Sequence, residues 1–493
     1  MKRNSRMVVF MVLALCALTA CSSDSTSGDS TPSDSTSGDT STAASNDSTN
    51  TSSNDPDAPI NSTEGTLLTD GTHNILFIIA DDLGVDNVSG YGEHDESAST
   101  PNIDSLASSG VMFRNAWVNP MCSPSRASLY TGRHAYHHGV LHPAGAELDT
   151  EEETFAEVLQ AAGYRTALFG KWHLGSSDGT TPIDQGFNYF AGAEGNIDDY
   201  FNWTKLTMGG RDNLDSEETS TQYATAVNVS DAKSWIGQVS AQDNPWMAVI
   251  AFNAPHSPYH VPPSSLYSSV TLNGEAGDEC DGTTDSQSDC YHAAAEAMDN
   301  KLGELITFLD TQGELDNTLV VVIGDNGTPG NVIIDDGVFD GSHGKTTVYE
   351  GGVNVPFIVY GPNIGIEQGL EETELVMGLD VFTTFIEVAG AEATSGNTID
   401  SQSLLEHITG GDTSDARTVL YTELFRTEDD IDRWAITNGN AKYIYNDGVE
   451  ECYNLNRDPG ESSEKYADDA PITGTCDTLK TQRPCIDTSE CPE

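Results

Sequence analysis

Positive charge is scarce in this chain. Its 493 residues carry 21 Lys and Arg against 78 Asp and Glu, a formal net charge of −57. A protein that neutralises phosphates needs clustered cations, so this balance argues against nucleic-acid binding. The acidic surplus fits a protein of salty water, where counterions screen self-repulsion; the plainer reading is that it serves solubility. Long apolar runs are scarce too. Beyond the N-terminal segment none approaches the ~20 residues a membrane helix needs, so the body reads as soluble. Cysteine is sparse, with nine residues, and no CxxC pair or His/Cys cluster points to zinc.

What is present begins with a targeting segment. Lys2, Arg3 and Arg6 precede an apolar stretch from Met7 to Ala20 that is too short for a stable span. Leu18-Thr19-Ala20-Cys21 resembles the lipobox of a bacterial lipoprotein. The resemblance implies a signal peptide over 1–20, cleavage before Cys21 and lipidation there, enough to anchor the chain to a membrane. An ordinary signal peptide with an incidental Cys is the other reading. Ser22 and Ser23 follow where an Asp would retain the protein at the inner membrane, which favours the outer membrane or cell surface. Residues 21–72 are nearly all Ser, Thr, Asp, Gly and Asn and read as a disordered tether. Six cysteines remain once Cys16, Cys21 and Cys122 are set aside. Cys280 and Cys290 bracket one polar loop and suit a local disulfide; Cys452, Cys476, Cys485 and Cys491 suit two more of open connectivity.

The body alternates apolar β-rich runs with helical patterns. Asn74–Ala80, Arg165–Phe169, Trp246–Phe252 and Thr318–Ile323 read as buried parallel strands. Thr154–Ala162, Tyr291–Leu309 and Leu379–Ala389 read as helices, with Gly163 and Gly390 at their C-caps. The alternation predicts a doubly wound, mostly parallel α/β domain over 73–412. After that come short strands separated by Asn/Gly turns, which predict a small antiparallel sheet in a C-terminal subdomain, 413–493.

Each of the four apolar strands ends in polar residues: Asp81-Asp82, then Lys171 and His173, then Asn253 and His256, then Asp325-Asn326. Strand carboxyl ends line the ligand crevice of such sheets, so four distant clusters are expected to converge. Asp81, Asp82, Asp325 and Asn326 offer hard oxygen ligands for calcium or magnesium, although either pair alone would more often cap a helix or turn. Lys171 and His173 share one face of an extended segment and suit an anion and a proton. His256 alone could be structural, and Lys345 alone a loop lysine. Cys122 opens Cys122-Ser123-Pro124-Ser125-Arg126-Ala127-Ser128-Leu129-Tyr130-Thr131-Gly132-Arg133. Pro124 suits the first turn of a helix, and Arg126 lies one turn beyond Cys122 on the same face. A helix amino end favours an anion nearby.

The run from Cys122 to Arg133, together with Gly170-Lys171-Trp172-His173-Leu174-Gly175, resembles the formylglycine-dependent sulfatases of the alkaline phosphatase superfamily, in particular the arylsulfatase and N-acetylgalactosamine-4-sulfatase-like group. The stretches Ala80–Gly84, Phe252–Pro258 and Tyr349–Pro356 support it, as do Tyr453-Asn454-Leu455 and Asp458–Glu461. The resemblance implies an alkaline phosphatase-like fold and a maturation enzyme that converts Cys122 to formylglycine. It implies one divalent cation, calcium before magnesium, on Asp81, Asp82, Asp325, Asn326 and the modified Cys122. It further implies that Arg126 steadies the hydrated aldehyde, that Lys171, His256 and Lys345 bind sulfate, and that His173 moves a proton. The substrate would be an aryl or carbohydrate sulfate, with a sulfated polysaccharide or oligosaccharide foremost. Asn354 and Asn188 stand where Arg and Asp are frequent, which bears on subgroup. A phosphodiesterase or phosphonate monoester hydrolase of the same superfamily is the alternative, and a non-catalytic glycan binder a third.

Overall fold

In the computed structural model all eight residues of strand β1 (Asn74–Asp81) are buried, and their alternation serves two cores. Ile75, Phe77 and Ile79 join one hydrophobic cluster; Leu76, Ile78 and Ala80 join another. A strand that is apolar on both faces needs cover on both, and the chain supplies a helical layer for each. The structure describes residues 68–484 apart from 178–179, 210–214, 243, 336–338, 428–429 and 463–469. The signal peptide, Cys21 and the tether up to residue 67 fall outside that range, as do Cys485 and Cys491. Leu68 is buried in the first core and the Gly71 amide donates to the Val388 carbonyl, so the folded body takes in residues 68–72 as well.

The remaining strands of the main sheet are β2 (Val111–Trp117), β3 (Arg165–Lys171), β4 (Tyr189–Ala193), β5 (Trp203–Gly209), β6 (Ser216–Ser220), β7 (Trp246–Pro255), β8 (Thr318–Gly324), β9 (Phe357–Tyr360) and β10 (Leu370–Met377). Their order is β10-β2-β9-β8-β1-β7-β3-β4-β5-β6. The central run β8-β1-β7-β3-β4 is parallel throughout. Antiparallel pairing enters at β9 and at the β5–β6 edge.

The helices include α1 (Pro101–Ser109), α2 (Cys122–Thr131), α3 (Ala135–His138), α4 (Phe155–Ala161), α5 (Ala224–Val239), α6 (Gln287–Gln312), α7 (Glu350–Val353) and α8 (Val381–Val388). Helices α2, α4 and α8 cover one face through Leu129, Tyr130, Phe155, Leu159, Phe382 and Phe385. Helices α1, α5 and α6 cover the other through Ile103, Leu106, Val229, Ile236, Leu302 and Leu305. Thr154 starts α4 with a reciprocal capping box to Glu157. The four-stranded antiparallel sheet β11 (Leu420–Thr427), β12 (Asp430–Thr437), β13 (Ala441–Asn446), β14 (Val449–Asn454) follows in sequence order. It is tied to the main domain by Lys442, which is buried against Glu350 (2.9 Å) and Glu461 (2.8 Å) and lies over the Trp117 ring. Disulfides join Cys280 to Cys290, the pair expected from the loop, and Cys452 to Cys476.

Candidate active site

Strands β8, β1, β7 and β3 are neighbours and run the same way, so their last residues emerge along one edge. Asp81 closes β1 and Asp82 follows it. Lys171 closes β3, His256 follows β7, and Asp325 and Asn326 follow β8. Strand β2 runs in that direction too and leads into α2, whose first residue is Cys122. Gly170 makes the end of β3 workable: its φ is 99°, and a Cβ would stand 2.0 Å from the Ala251 carbonyl oxygen of β7.

The fold brings all of the sequence-predicted residues to this edge. Cys122 Sγ lies 3.3 Å from His173 Nδ1. The Ser123 hydroxyl donates to the His173 carbonyl oxygen at 2.9 Å, fixing that residue from the helix side. Lys171 is fully buried and its Nζ meets Asp81 Oδ2 at 2.5 Å. Lys345 Nζ contacts Asp82 Oδ1, and His256 Nε2 is 3.7 Å from Asp82 Oδ2. The Asn326 amide donates to Asp82 Oδ1 at 2.8 Å, and the Asp82 backbone N–H to Asp325 Oδ1 at 3.1 Å. The Thr346 amide donates to the Pro120 carbonyl, which ties the Lys345 loop to the segment entering α2.

The Arg126 side chain reaches the carboxylates at the strand ends. It is fully buried, with Nε and Nη2 each 2.9 Å from Asp325 Oδ2, and Nη1 donates to the Lys171 carbonyl at 2.8 Å. Its donors organise the carboxylates beneath Cys122. Backbone strain gathers here as well. Of five non-glycine residues with positive φ among those described, Asp82 (69°) and His173 (66°) belong to the site and Thr346 (69°) adjoins Lys345.

Electrostatics follows from burial and this packing of charge. Burial would raise the Asp81 carboxyl, but Lys171, His256, Arg126 and Lys345 outweigh it and hold it well below the usual range. Burial and the charge of Asp81 push Asp325 up against the pull of Arg126 and Lys171. Burial, then Lys171 and Arg126, depress His173 to about 2. Burial raises the Cys122 thiol, so an unmodified Cys122 is a poor thiolate.

The residues present fit a hard divalent cation. One ligand atom from each of Asp81, Asp82 and His256 falls within 4.8 Å of the others, the spacing of atoms that share a cation at about 2.3–2.6 Å. Asp81 Oδ1 and Asn326 Oδ1 are buried without a hydrogen-bond partner, and a buried acceptor in that state fits metal coordination. His256 Nδ1 is 2.6 Å from the Ser257 carbonyl, which accepts its proton and leaves Nε2 facing Asp82.

Two tyrosines escaped the sequence reading. The Tyr291 hydroxyl donates to the Asp82 carbonyl at 2.7 Å. The Tyr200 hydroxyl lies 2.6 Å from the Asn253 carbonyl oxygen and 2.8 Å from that of His256. Both hold ligand-bearing backbone in place. A lone tyrosine in an apolar or helical stretch reads as core, so no local signal marks them.

Comparison with known proteins agrees with this arrangement. The Sulfatase family model matches residues 73–391, and the C-terminal model of N-sulphoglucosamine sulphohydrolase matches 337–482. The N-acetylgalactosamine-6-sulfatase of Canis lupus familiaris is 30% identical over 375 residues, covering 71% of this chain and 68% of that protein. The ulvan-active sulfatase of Formosa agariphila is 29% identical over 357 residues, covering 70% and 67%. Among solved structures, Ps i-CgsB in complex with k-i-k-neocarrahexaose superposes with a TM-score of 0.69 at 24% identity, covering 85% of this chain and 94% of that one, a likeness of fold. A family match over most of the folded body, coinciding with the edge where Cys122, the acidic residues and the two histidines meet, establishes that this chain belongs to the sulfatase family of sulfuric ester hydrolases.

Proposed function

We propose that this sulfatase removes sulfate from a carbohydrate ester, with Cys122 matured to formylglycine and one divalent cation, calcium foremost, held by Asp81, Asp82, Asp325 and Asn326. The observation that carries the reading is the 3.3 Å contact of Cys122 with His173 inside a ring of carboxylates and cations. Formylglycine hydrate at position 122 would supply the attacking oxygen, and a cation held by those four residues would lower the pKa of that hydroxyl. Lys345 and His256, each with a side chain 14% exposed, stand on the open side of the cluster and bind sulfate oxygens; either can return a proton to the departing alcohol oxygen. Lys171 lies beneath them and keeps Asp81 charged, and Arg126 does the same for Asp325. His173 Nδ1 takes a proton from the side chain at position 122. The sulfated-glycan names of the relatives support the carbohydrate class.

The test begins with mass spectrometry of the tryptic peptide containing Cys122 from active protein. A species about 18 Da lighter than the cysteine form is expected, and a full complement of thiol in active protein would overturn the mechanism. Chelation should abolish turnover of 4-nitrocatechol sulfate and calcium should restore it. Turnover of aryl phosphonate in preference to aryl sulfate would favour the phosphonate reading instead. We also propose that Cys21 carries lipid and places the enzyme at the outer face of a bacterial envelope. Cys21→Ala should move it from the membrane to the soluble fraction, and continued membrane fractionation would count against the anchor.

A further inference from the structure

A cavity of about 390 Å³ adjoins the site on the β4 side. Its near wall is the loop leaving β4, which is pinned at three points to residues of the active edge. The His173 amide donates to the Glu194 carbonyl at 2.6 Å. The Asn253 side chain donates to the Gly195 carbonyl at 3.1 Å. Tyr200, at the loop's far end, reaches the carbonyls of Asn253 and His256. Gly195 itself lies against the imidazole, since a Cβ there would be 3.1 Å from His173 Cδ2. The wall is therefore built between His173 and His256 and cannot drift from either. Its volume falls in the range of small-ligand sites.

The side chains on this wall differ in kind from those around Cys122. Glu194, Asn196, Asp198, Asn202 and Glu217 line the cavity, all are exposed, and no cation lines it among the described residues. The nearest lysine in sequence, Lys205, alternates to the other face of β5 and meets Asp231 at 2.6 Å. A cationic sulfate pocket thus borders an anionic, amide-rich one. Carboxylates and amide oxygens accept hydrogen bonds from sugar hydroxyls, and charge-assisted bonds of this kind are the stronger ones. The same carboxylates repel a second anion at contact range.

We propose that this cavity, given the carbohydrate reading of the site, is the subsite for a neutral, hydroxyl-rich sugar joined to the sulfate-bearing one, and that Glu194 and Asp198 select against a uronic acid or a second sulfate there. The substrate class is then a sulfated glycan with neutral neighbours.

The test uses two disaccharides, galactose 6-sulfate extended on the same hydroxyl by galactose or by glucuronic acid, as competitors of 4-nitrocatechol sulfate turnover by the mature enzyme. The galactosyl compound should inhibit about tenfold more tightly, the worth of one charge-assisted hydrogen bond. Measurement at about 0.5 M salt suppresses repulsion from the rest of the molecule, because screening then acts within a few ångström. The Glu194→Gln, Asp198→Asn double variant should bring the two inhibition constants to within about threefold, most of the gap being contact repulsion. Equal inhibition by both compounds in the unmodified enzyme, no competition by either, or a gap untouched by the double variant would each overturn the subsite. Failure to turn over any aryl sulfate would instead overturn the hydrolase reading on which it rests.

Discussion

Glu423 shows how much a single buried group can set. Its carboxyl on β11 accepts from the Tyr136 amide at 2.9 Å and from the Tyr421 hydroxyl at 2.9 Å. Burial pushes its pKa up to about 8. An unfolded glutamate titrates near 4.3. Between those values the folded state holds a proton that the unfolded state has released, so stability is greatest below the lower value and falls as pH rises through the window. Thermal unfolding from pH 5 to pH 8 should show that fall, and Glu423→Gln should shrink it. Asp81, Asp82, Lys171, His173, His256, Asp325 and Asn326 were legible because each ends or follows an apolar strand, and strand direction decides where such residues go. Arg126 was legible as a site residue but not in its contacts. Helical spacing gives a face, whereas its two hydrogen bonds, to Asp325 and the Lys171 carbonyl, and its ion pair with Asp325 depend on strands distant in sequence.

At the level of elements, the C-terminal sheet reaches the site's supports through Lys442 on β13. Its ammonium is fully buried between Glu350, which opens α7, and Glu461, and the Trp117 indole also donates to Glu350 at 3.2 Å. Removing one partner of such a group leaves buried charge unpaired, at a cost of about 3–5 kcal/mol. Lys442→Met should therefore lower the unfolding free energy by that order, and adding Glu461→Gln should recover part of it; strict additivity of the two in a double-mutant cycle would refute the coupling. The Cys280–Cys290 bridge closes a loop with a sequence separation of 10 and ends one residue before Tyr291, whose hydroxyl holds the Asp82 carbonyl. Replacing both cysteines with serine should cost about 2–3 kcal/mol of stability and raise KM more than it changes the melting cooperativity. Strands β1, β3, β7 and β8 announced themselves as apolar runs because helices bury both faces. Strands β6 (Ser216–Ser220) and β10 (Leu370–Met377) did not, since they are edge strands with mostly exposed or half-exposed residues and carry little hydrophobic signal.

Across the whole molecule the net charge of −57 opposes an anionic polymer, while on the proposed reading Lys345 and His256 would draw its sulfate at short range. Salt screens the long-range term first. Turnover of a sulfated polysaccharide should consequently rise from low to moderate ionic strength, and turnover of 4-nitrocatechol sulfate should change far less. A monotonic fall for the polymer at constant small-substrate activity would show that the global field does not govern access. The parallel centre of the sheet and the separate small sheet both followed from pattern. The antiparallel insertion of β9 between β8 and β2 did not, because strand order depends on which edges find partners, and composition carries no record of that.

All ten residues of helix α2 are buried, Cys122 at 3% exposure among them. A modifying enzyme must grip residues around the thiol, and the finished protein buries every one from Cys122 to Thr131, with Met121 only half-buried before them. On the proposed reading, chemistry at that sulfur belongs to the nascent or freshly exported chain and closes once α2 docks. A producer that supplies the oxidising step late would accumulate a well-folded, permanently inert form, recoverable only by unfolding it.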